Sequence, residues 1–246
     1  MRIAIRLLLL AVIAVLAFAV YVVYFTSSPV ARDAPRDLPW TLPDYRGATT
    51  NWDVGEDGKI YTSVEHFFLE DISPAMVAWF YQQLPIATVD LDGEQLPLYH
   101  IFHPTEHGRL WVLEPAPNGE EGMALGAVIQ REEWFGPFDS RGAARFVEFS
   151  DAGMLAIPEF AGIAIGSVRH SYTAHNGGTR YRVDTVIGSD LPVLGPVLNW
   201  YLRTQVFHPD MLVQWQRHQV EEVSSLQFFL PGIYAQRGNS GAYVLE

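Results

Sequence analysis

The sequence predicts an α+β domain in which a long C-terminal helix lies across a largely antiparallel sheet. Three observations lead to it. Short alternating segments follow one another through the middle of the chain, Asn176-Gly177 joins two of them, and helical periodicity dominates after Leu191. Strands in series followed by helices mark this class, and a long final helix laid across a curved sheet leaves a cavity between the two.

The final helix is predicted within the stretch Pro209 to Tyr234. Pro209 suits a first turn, where a missing N–H costs nothing, and Pro231-Gly232 marks the end. At about 100° per residue, Met211, Trp215, Leu226 and Phe229 share one stripe. His218 and Glu222 fall inside it, Gln219 lies toward its edge, and Arg217 and Glu221 fall outside. Val213, Val220 and Phe228 point other ways, so the helix is open to contact on more than one side. An imidazole and a carboxylate one turn apart on a buried face need a partner, because an unpaired buried charge is costly. Two readings satisfy that need: a hydrogen-bonded core pair, or a divalent ion on which i and i+4 side chains converge.

The chain has 246 residues, enough for one large domain and an accessory segment. Its net charge of −12 argues against nucleic acid, which needs basic patches for phosphate. It has no cysteine, so disulfides, zinc thiolates and thiol nucleophiles are excluded, and any metal must be held by His, Asp or Glu.

MRIAIR carries two arginines and leads into an apolar run from Leu7 to Phe25, long enough to cross a ~30 Å hydrocarbon core. Basic residues before the run and an acidic body after it predict a single-pass membrane protein with a cytoplasmic N-terminus and the domain outside. Ala17-Phe18-Ala19 resembles a cleavage site, but Val20 to Phe25 extends the run past a usual signal core. Residues 1–25 therefore read as a retained transmembrane anchor. A body this acidic does not adhere to anionic lipid by charge. Residues 26–47, with Pro29, Pro35, Pro39 and Pro43, read as an extended linker from which Trp40 and Tyr45 can dock. Residues 48–246 form the domain.

Within the domain, Lys59 to Leu69 alternates loosely like a strand, and Ser73-Pro74 opens a helix over Pro74 to Leu84. Tyr99 to His107 reads YHIFHPTEH and packs three histidines, a tyrosine and a glutamate into nine residues. Pro104 disfavours a continuous helix or central strand there. The stretch reads as a rigid loop that either presents side chains to a metal or substrate or is simply a polar surface turn. Strands over Arg109 to Glu114 and Met123 to Phe135 flank a turn over Pro115 to Gly122. Near the end of the second, Glu132 and Glu133 alternate to opposite faces. One of them can face inward, or both are solvated at a frayed end. Ala144 to Phe149 and Met154 to Phe160 are further short strands.

Asn176-Gly177 between Gly162–His175 and Gly178–Gly188 signals a type I′ hairpin. A two-residue turn pairs His175 with Gly178, Tyr172 with Tyr181 and His170 with Val183. Ala164, Val168, His170, Tyr172, Tyr181, Val183 and Ile187 then share one face, and Arg169, Arg180, Arg182 and Asp184, along with Ile165 and Val186, the other. His170 thus points with the apolar set, either as a structural core histidine or toward a cavity. Leu191 to Phe207 is a mostly apolar helical stretch, interrupted at Gly195-Pro196.

In this order MVAWF, YHIFHPTEH, a strand ending REEWFG, HNGGTRYRVDTVIG and RHQVEEVSSLQFFLPGIYA resemble the 2,4-diacetylphloroglucinol hydrolase family. The resemblance spans Pro74 to Gln236. Its sharpest parts are the Tyr99-to-His107 loop and the His-x-x-x-Glu helix running into Phe-Leu-Pro. It implies a START-like helix-grip domain, one zinc ion (Zn2+) held by two His and two Glu, and hydrolysis of a carbon–carbon bond between an acyl group and a phenolic ring. By position, His218 and Glu222 match the helix ligands. His107 matches the loop ligand, with His103 as the alternative, and Glu133 the strand ligand, with Glu132 behind it. Tyr99 and His170 match candidate substrate or proton-transfer groups. The implied partner is a small aromatic or otherwise apolar ligand. Two other classes use such a domain: an apolar-ligand carrier at the cell envelope, which performs no chemistry, and a protein-interaction module.

Overall fold

The computed structural model describes residues 29–160, 162–238 and 242–245, with single positions Arg6, Leu9, Ile13, Ala17 and Val20 in the N-terminal run. Apart from those positions, the expected membrane helix over residues 1–25 lies outside the described residues. Among the described residues no helix is long and apolar enough to cross a membrane.

In chain order the elements are β1 (Thr49–Val54), β2 (Ile60–Glu65), α1 (Pro74–Gln83), β3 (Thr88–Leu91), β4 (Glu94–Pro97), α2 (Leu98–Phe102), β5 (His107–Glu114), β6 (Val128–Phe135), β7 (Phe138–Ser150), β8 (Gly153–Phe160), β9 (Ile163–Ala164), β10 (Gly166–His175), β11 (Gly178–Ile187), α3 (Leu194–Tyr201), α4 (Pro209–Ala235) and β12 (Tyr243–Leu245). A π-helical turn over Leu202–Val206 joins α3 to α4. The large sheet runs β1-β2-β11-β10-β8-β7-β6-β5, with β9 beside β8, and all its described pairings are antiparallel. This is an α+β architecture with a long C-terminal helix, consistent with a helix-grip arrangement. A small sheet, β12-β3-β4, was not signalled by the sequence.

The hairpin has the expected register: His175 pairs with Gly178, Tyr172 with Tyr181 and His170 with Val183. Asn176 and Gly177 take φ of 44° and 83°, as a type I′ turn requires. Ala164 departs from the expected inner face and is exposed, because the strand breaks at Ile165 and β9 pairs separately with β8.

Four further expectations are corrected. The final helix continues through Pro231 to Ala235. Proline removes one ladder bond, but buried Ile233 and the edge-on contact of Tyr234 with Trp79 at 5.2 Å hold the last turn. Gly195-Pro196 does not interrupt a helix; the pair forms the first turn of α3. Strand β7 starts at Phe138, because Phe135 pairs with Phe138 across Gly136-Pro137. Leu98 to Phe102 is a short helix, so Tyr99 is helical and His107 opens a strand.

The linker is docked along the domain. Arg32 pairs with Asp139, the Arg36 N–H donates to Pro104 O, and Trp40 stacks on Phe228 and Phe229. Two apolar cores form under α4. One gathers Phe80, Phe102, Leu226 and Phe229, and the other Ile60, Phe135, Leu212 and Trp215. His218 and Glu222 lie on α4 between the positions that feed these cores.

Candidate metal centre

His107 at the start of β5 pairs across the sheet with Glu133 of β6. His218 and Glu222, one turn apart on α4, meet that pair. His107 Nε2 lies 3.2 Å from His218 Nε2 and 3.3 Å from Glu222 Oε2. His218 Nε2 is 3.7 Å from Glu222 Oε2. Glu133 Oε2 is 3.9 Å from each Nε2. Ligands placed tetrahedrally about one zinc ion at their usual bond lengths stand about 3.3 to 3.4 Å apart. His107, His218 and Glu222 bring their ligand atoms together as one small ion needs, and Glu133, the fourth expected ligand, stands beside them and outside that group.

The hydrogen bonds around the histidines sharpen the fit. His107 Nδ1 is 2.6 Å from the Tyr99 carbonyl, which can only accept. His218 Nδ1 is 2.9 Å from Glu106 Oε2. Each ring therefore spends its proton at Nδ1. The two Nε2 atoms are left facing each other with lone pairs and no hydrogen between them. A cation at their meeting point turns this repulsion into ligation, and a partner fixing the outer ring nitrogen is what a metal-bound histidine normally has.

Charge follows the same logic. Burial holds both the His107 and His218 imidazoles well below their ordinary range, so each stays neutral. Burial, with the nearby Glu133 carboxylate second, pushes Glu222 well above the usual carboxylate range. A bound cation keeps both imidazoles neutral and favours the ionised form of Glu222.

Outer residues brace the set. Tyr99 Oη donates to Glu133 Oε2 at 2.6 Å and its ring stacks on His107 at 3.7 Å. Arg131 pairs with the other Glu133 oxygen. Glu106 also accepts from the Gly136 N–H and pairs with Arg217, which in turn pairs with Glu221. The alternative ligands are committed elsewhere. Nδ1 of His103 lies 3.2 Å from the Glu106 N–H, which donates to it, and its Nε2 lies 3.2 Å from Glu221. Glu132 is buried on the opposite sheet face between Arg109 and Arg141, each at 2.8 Å. Both glutamates are thus buried, not solvated at a frayed end, because the strand continues into the β6–β7 hairpin. The cluster of His103, Glu106 and His218 is a hydrogen-bond network, since Glu106 and His218 Nδ1 already satisfy each other.

The centre opens on a cavity of about 190 Å³, walled mainly by apolar side chains. Tyr99 and His170 both line it. Tyr172 and Tyr181, on the same hairpin face as His170, do not line it and belong to the core. His170 Nδ1 lies 2.5 Å from Tyr181 Oη, which lies 2.6 Å from Tyr81 Oη. Burial lowers His170 to about 3, so it is neutral. His66 also lines the cavity, and neither of its buried ring nitrogens has a hydrogen-bond partner in the protein.

Sequence reasoning gave no role to Glu106, Arg131, Arg217 or His66. Glu106 stood inside YHIFHPTEH, but no periodicity carries the chain's turn back toward α4. Arg131 precedes Glu132-Glu133, and two-residue alternation puts it on Glu133's face. His66 follows the end of β2 and carries no local signal.

Neither a family model nor a curated protein matches the chain. Solved structures similar to it include protein Ms6760 from Mycobacterium smegmatis, at 12% identity and a TM-score of 0.43, covering 73% of this chain and 96% of that one. The KanY protein is similar at 13% and 0.44, over 70% and 96%. A protein from Arthrobacter aurescens is similar at 10% and 0.41, over 78% and 93%.

Proposed function

We propose that this chain is a metal-dependent hydrolase with a START-like helix-grip domain, held at a membrane by its N-terminal apolar run with the domain outside. It cleaves the bond between an acyl group and a phenolic ring, as the resemblance to 2,4-diacetylphloroglucinol hydrolases implies. One observation carries the reading: two buried imidazoles face each other Nε2 to Nε2, both deprotonated there, with the Glu222 carboxylate grouped with them and Glu133 3.9 Å from each.

His107, Glu133, His218 and Glu222 would hold the ion, zinc by their donor set. Bound there, it supplies a Lewis acid that polarises an acyl oxygen. The chain's own groups supply the rest. The apolar wall takes the ring and excludes bulk water. His170, on the cavity wall and held at Nδ1 by Tyr181, is placed to move a proton from a phenolic hydroxyl to the ring carbon that bears the acyl group. The phenolate formed beside it raises an imidazole that burial alone keeps neutral. Water then adds to the carbonyl, the carbon–carbon bond breaks, and the products are the phenol and a carboxylic acid. Tyr99 orients Glu133 through its hydroxyl and His107 through its ring.

Incubating the purified, zinc-loaded protein with 2,4-diacetylphloroglucinol and following acetate release tests the reading. Stoichiometric acetate with loss of one acyl group supports it. Tight binding of the ketone without acetate would replace it with the carrier reading.

A further inference from the structure

One end of the sheet gathers three features that the metal site does not explain. The strand registers bring Ile60, Phe135, Phe138, Phe160 and Ile187 to this end, with Asn176-Gly177 and Glu114 at the other.

The first feature is α3. Its inner face is fixed by Asn199, whose side chain accepts from the Ser189 N–H at 2.7 Å and donates to Ser189 O and Asp57 O. Its outer face is apolar and open: Val193, Val197 and Trp200 are 86%, 65% and 52% exposed, with Leu194 beside them. Clustered exposed apolar side chains mark a contact surface. Tryptophan among aliphatics on one helix face suits a lipid–water boundary.

The second feature is where the N-terminal segment leaves the domain. The Val30 N–H donates to Asp139, and Arg32 clamps Asp139 and the Gly136 and Pro137 carbonyls. Next to Asp139, Phe138 meets His208 and joins the cluster that includes Leu198 of α3. Only residues 26–29 separate the apolar run from Val30. Four residues span at most on the order of 14 Å, whatever their conformation.

The third feature is a second cavity of about 110 Å³, bounded by Asp139 and Ser140 on one side and Leu202, Val206 and Phe207 on the other. It shares Arg131, Gly142 and Trp215 with the metal cavity. The π-helical turn that follows α3 therefore roofs a space that shares a wall with the site's cavity.

We infer that this end of the domain rests on a lipid bilayer, with Val193, Val197 and Trp200 immersed. The inference rests on the anchor reading above, because the short tether and the α3 patch share one end. Asp57 and Asp190 border the patch and pair with Lys59, and Arg203 donates to Gly58 O beside them, so acid and base offset each other, the attraction is apolar and the matching surface is neutral lipid. The absence of native cysteine makes the test direct. Full-length Val197→Cys, Val193→Cys and, at the opposite end, Leu113→Cys are labelled with an environment-sensitive fluorophore. They are then reconstituted in phosphatidylcholine vesicles carrying a nitroxide lipid. Nitroxide quenching at 193 and 197 should exceed that at 113 by at least about threefold. Equal quenching at all three sites on floating vesicles overturns the immersion and leaves the anchor standing. Failure of the protein to float with the vesicles overturns both.

Discussion

His218 gives its Nδ1 proton to Glu106 across 2.9 Å, and that bond determines what the other side of the ring offers. Glu106 is itself held by the Gly136 N–H and by Arg217, so the ring is oriented from three elements. Glu106→Gln keeps an acceptor and loses the charge that makes the imidazole a better ligand. Zinc affinity should fall about 10- to 100-fold with the ion still bound at saturation. Competition against a chelator of known affinity checks it.

His170 and the metal ligands should separate in their effects. His170→Ala should retain one zinc per chain and lose about 10²- to 10⁴-fold in turnover, the usual worth of a positioned acid–base group. Loss of zinc in that variant would make His170 a structural support.

His66 gives a pH signature. Burial lowers it from 6.5 to about 3. As the pH falls below 6.5, the unfolded chain takes up a proton that the folded one refuses. Stability from this group is therefore full above 6.5 and is lost as the pH falls toward 3, by about 1.4 kcal/mol per unit. Between pH 7 and pH 5 the wild type should lose about 2 kcal/mol more than His66→Phe in urea unfolding. Parallel losses would contradict this.

Phe228 and Phe229 are adjacent on α4 and differ in burial. Phe229 is 1% exposed and packs on Phe80, whereas Phe228 is 49% exposed and stacks on Trp40 of the docked linker. Phe229→Ala should cost about 3 to 5 kcal/mol. Phe228→Ala should cost under about 1.5 kcal/mol, the extra worth of an aromatic pair. Denaturant midpoints of the two variants decide it.

These contrasts show what the sequence could carry. The α4 stripe was readable because 3.6-residue periodicity sorts Phe229 from Phe228 and collects His218 and Glu222 on one face. The hairpin register was readable because Asn176-Gly177 leaves little choice of turn. Glu106 and His66 were not, because each acts through an element distant in sequence. Helix α4 was predicted too short, since local proline chemistry at Pro231 says nothing of Ile233 and Tyr234 packing beyond it. Gly136-Pro137 hid the start of β7 by resembling the end of an element when it is the middle of a hairpin.

Elemental analysis of the purified full-length protein tests the central claim most directly, alongside His218→Ala and Glu221→Ala. Glu221 reaches His103 and Arg217 but not the facing Nε2 atoms. Wild type and Glu221→Ala should each carry about one zinc per chain, and His218→Ala should carry less than a tenth of that. Equal zinc in the two variants, or a wild type that takes up none when zinc is supplied, would contradict the account.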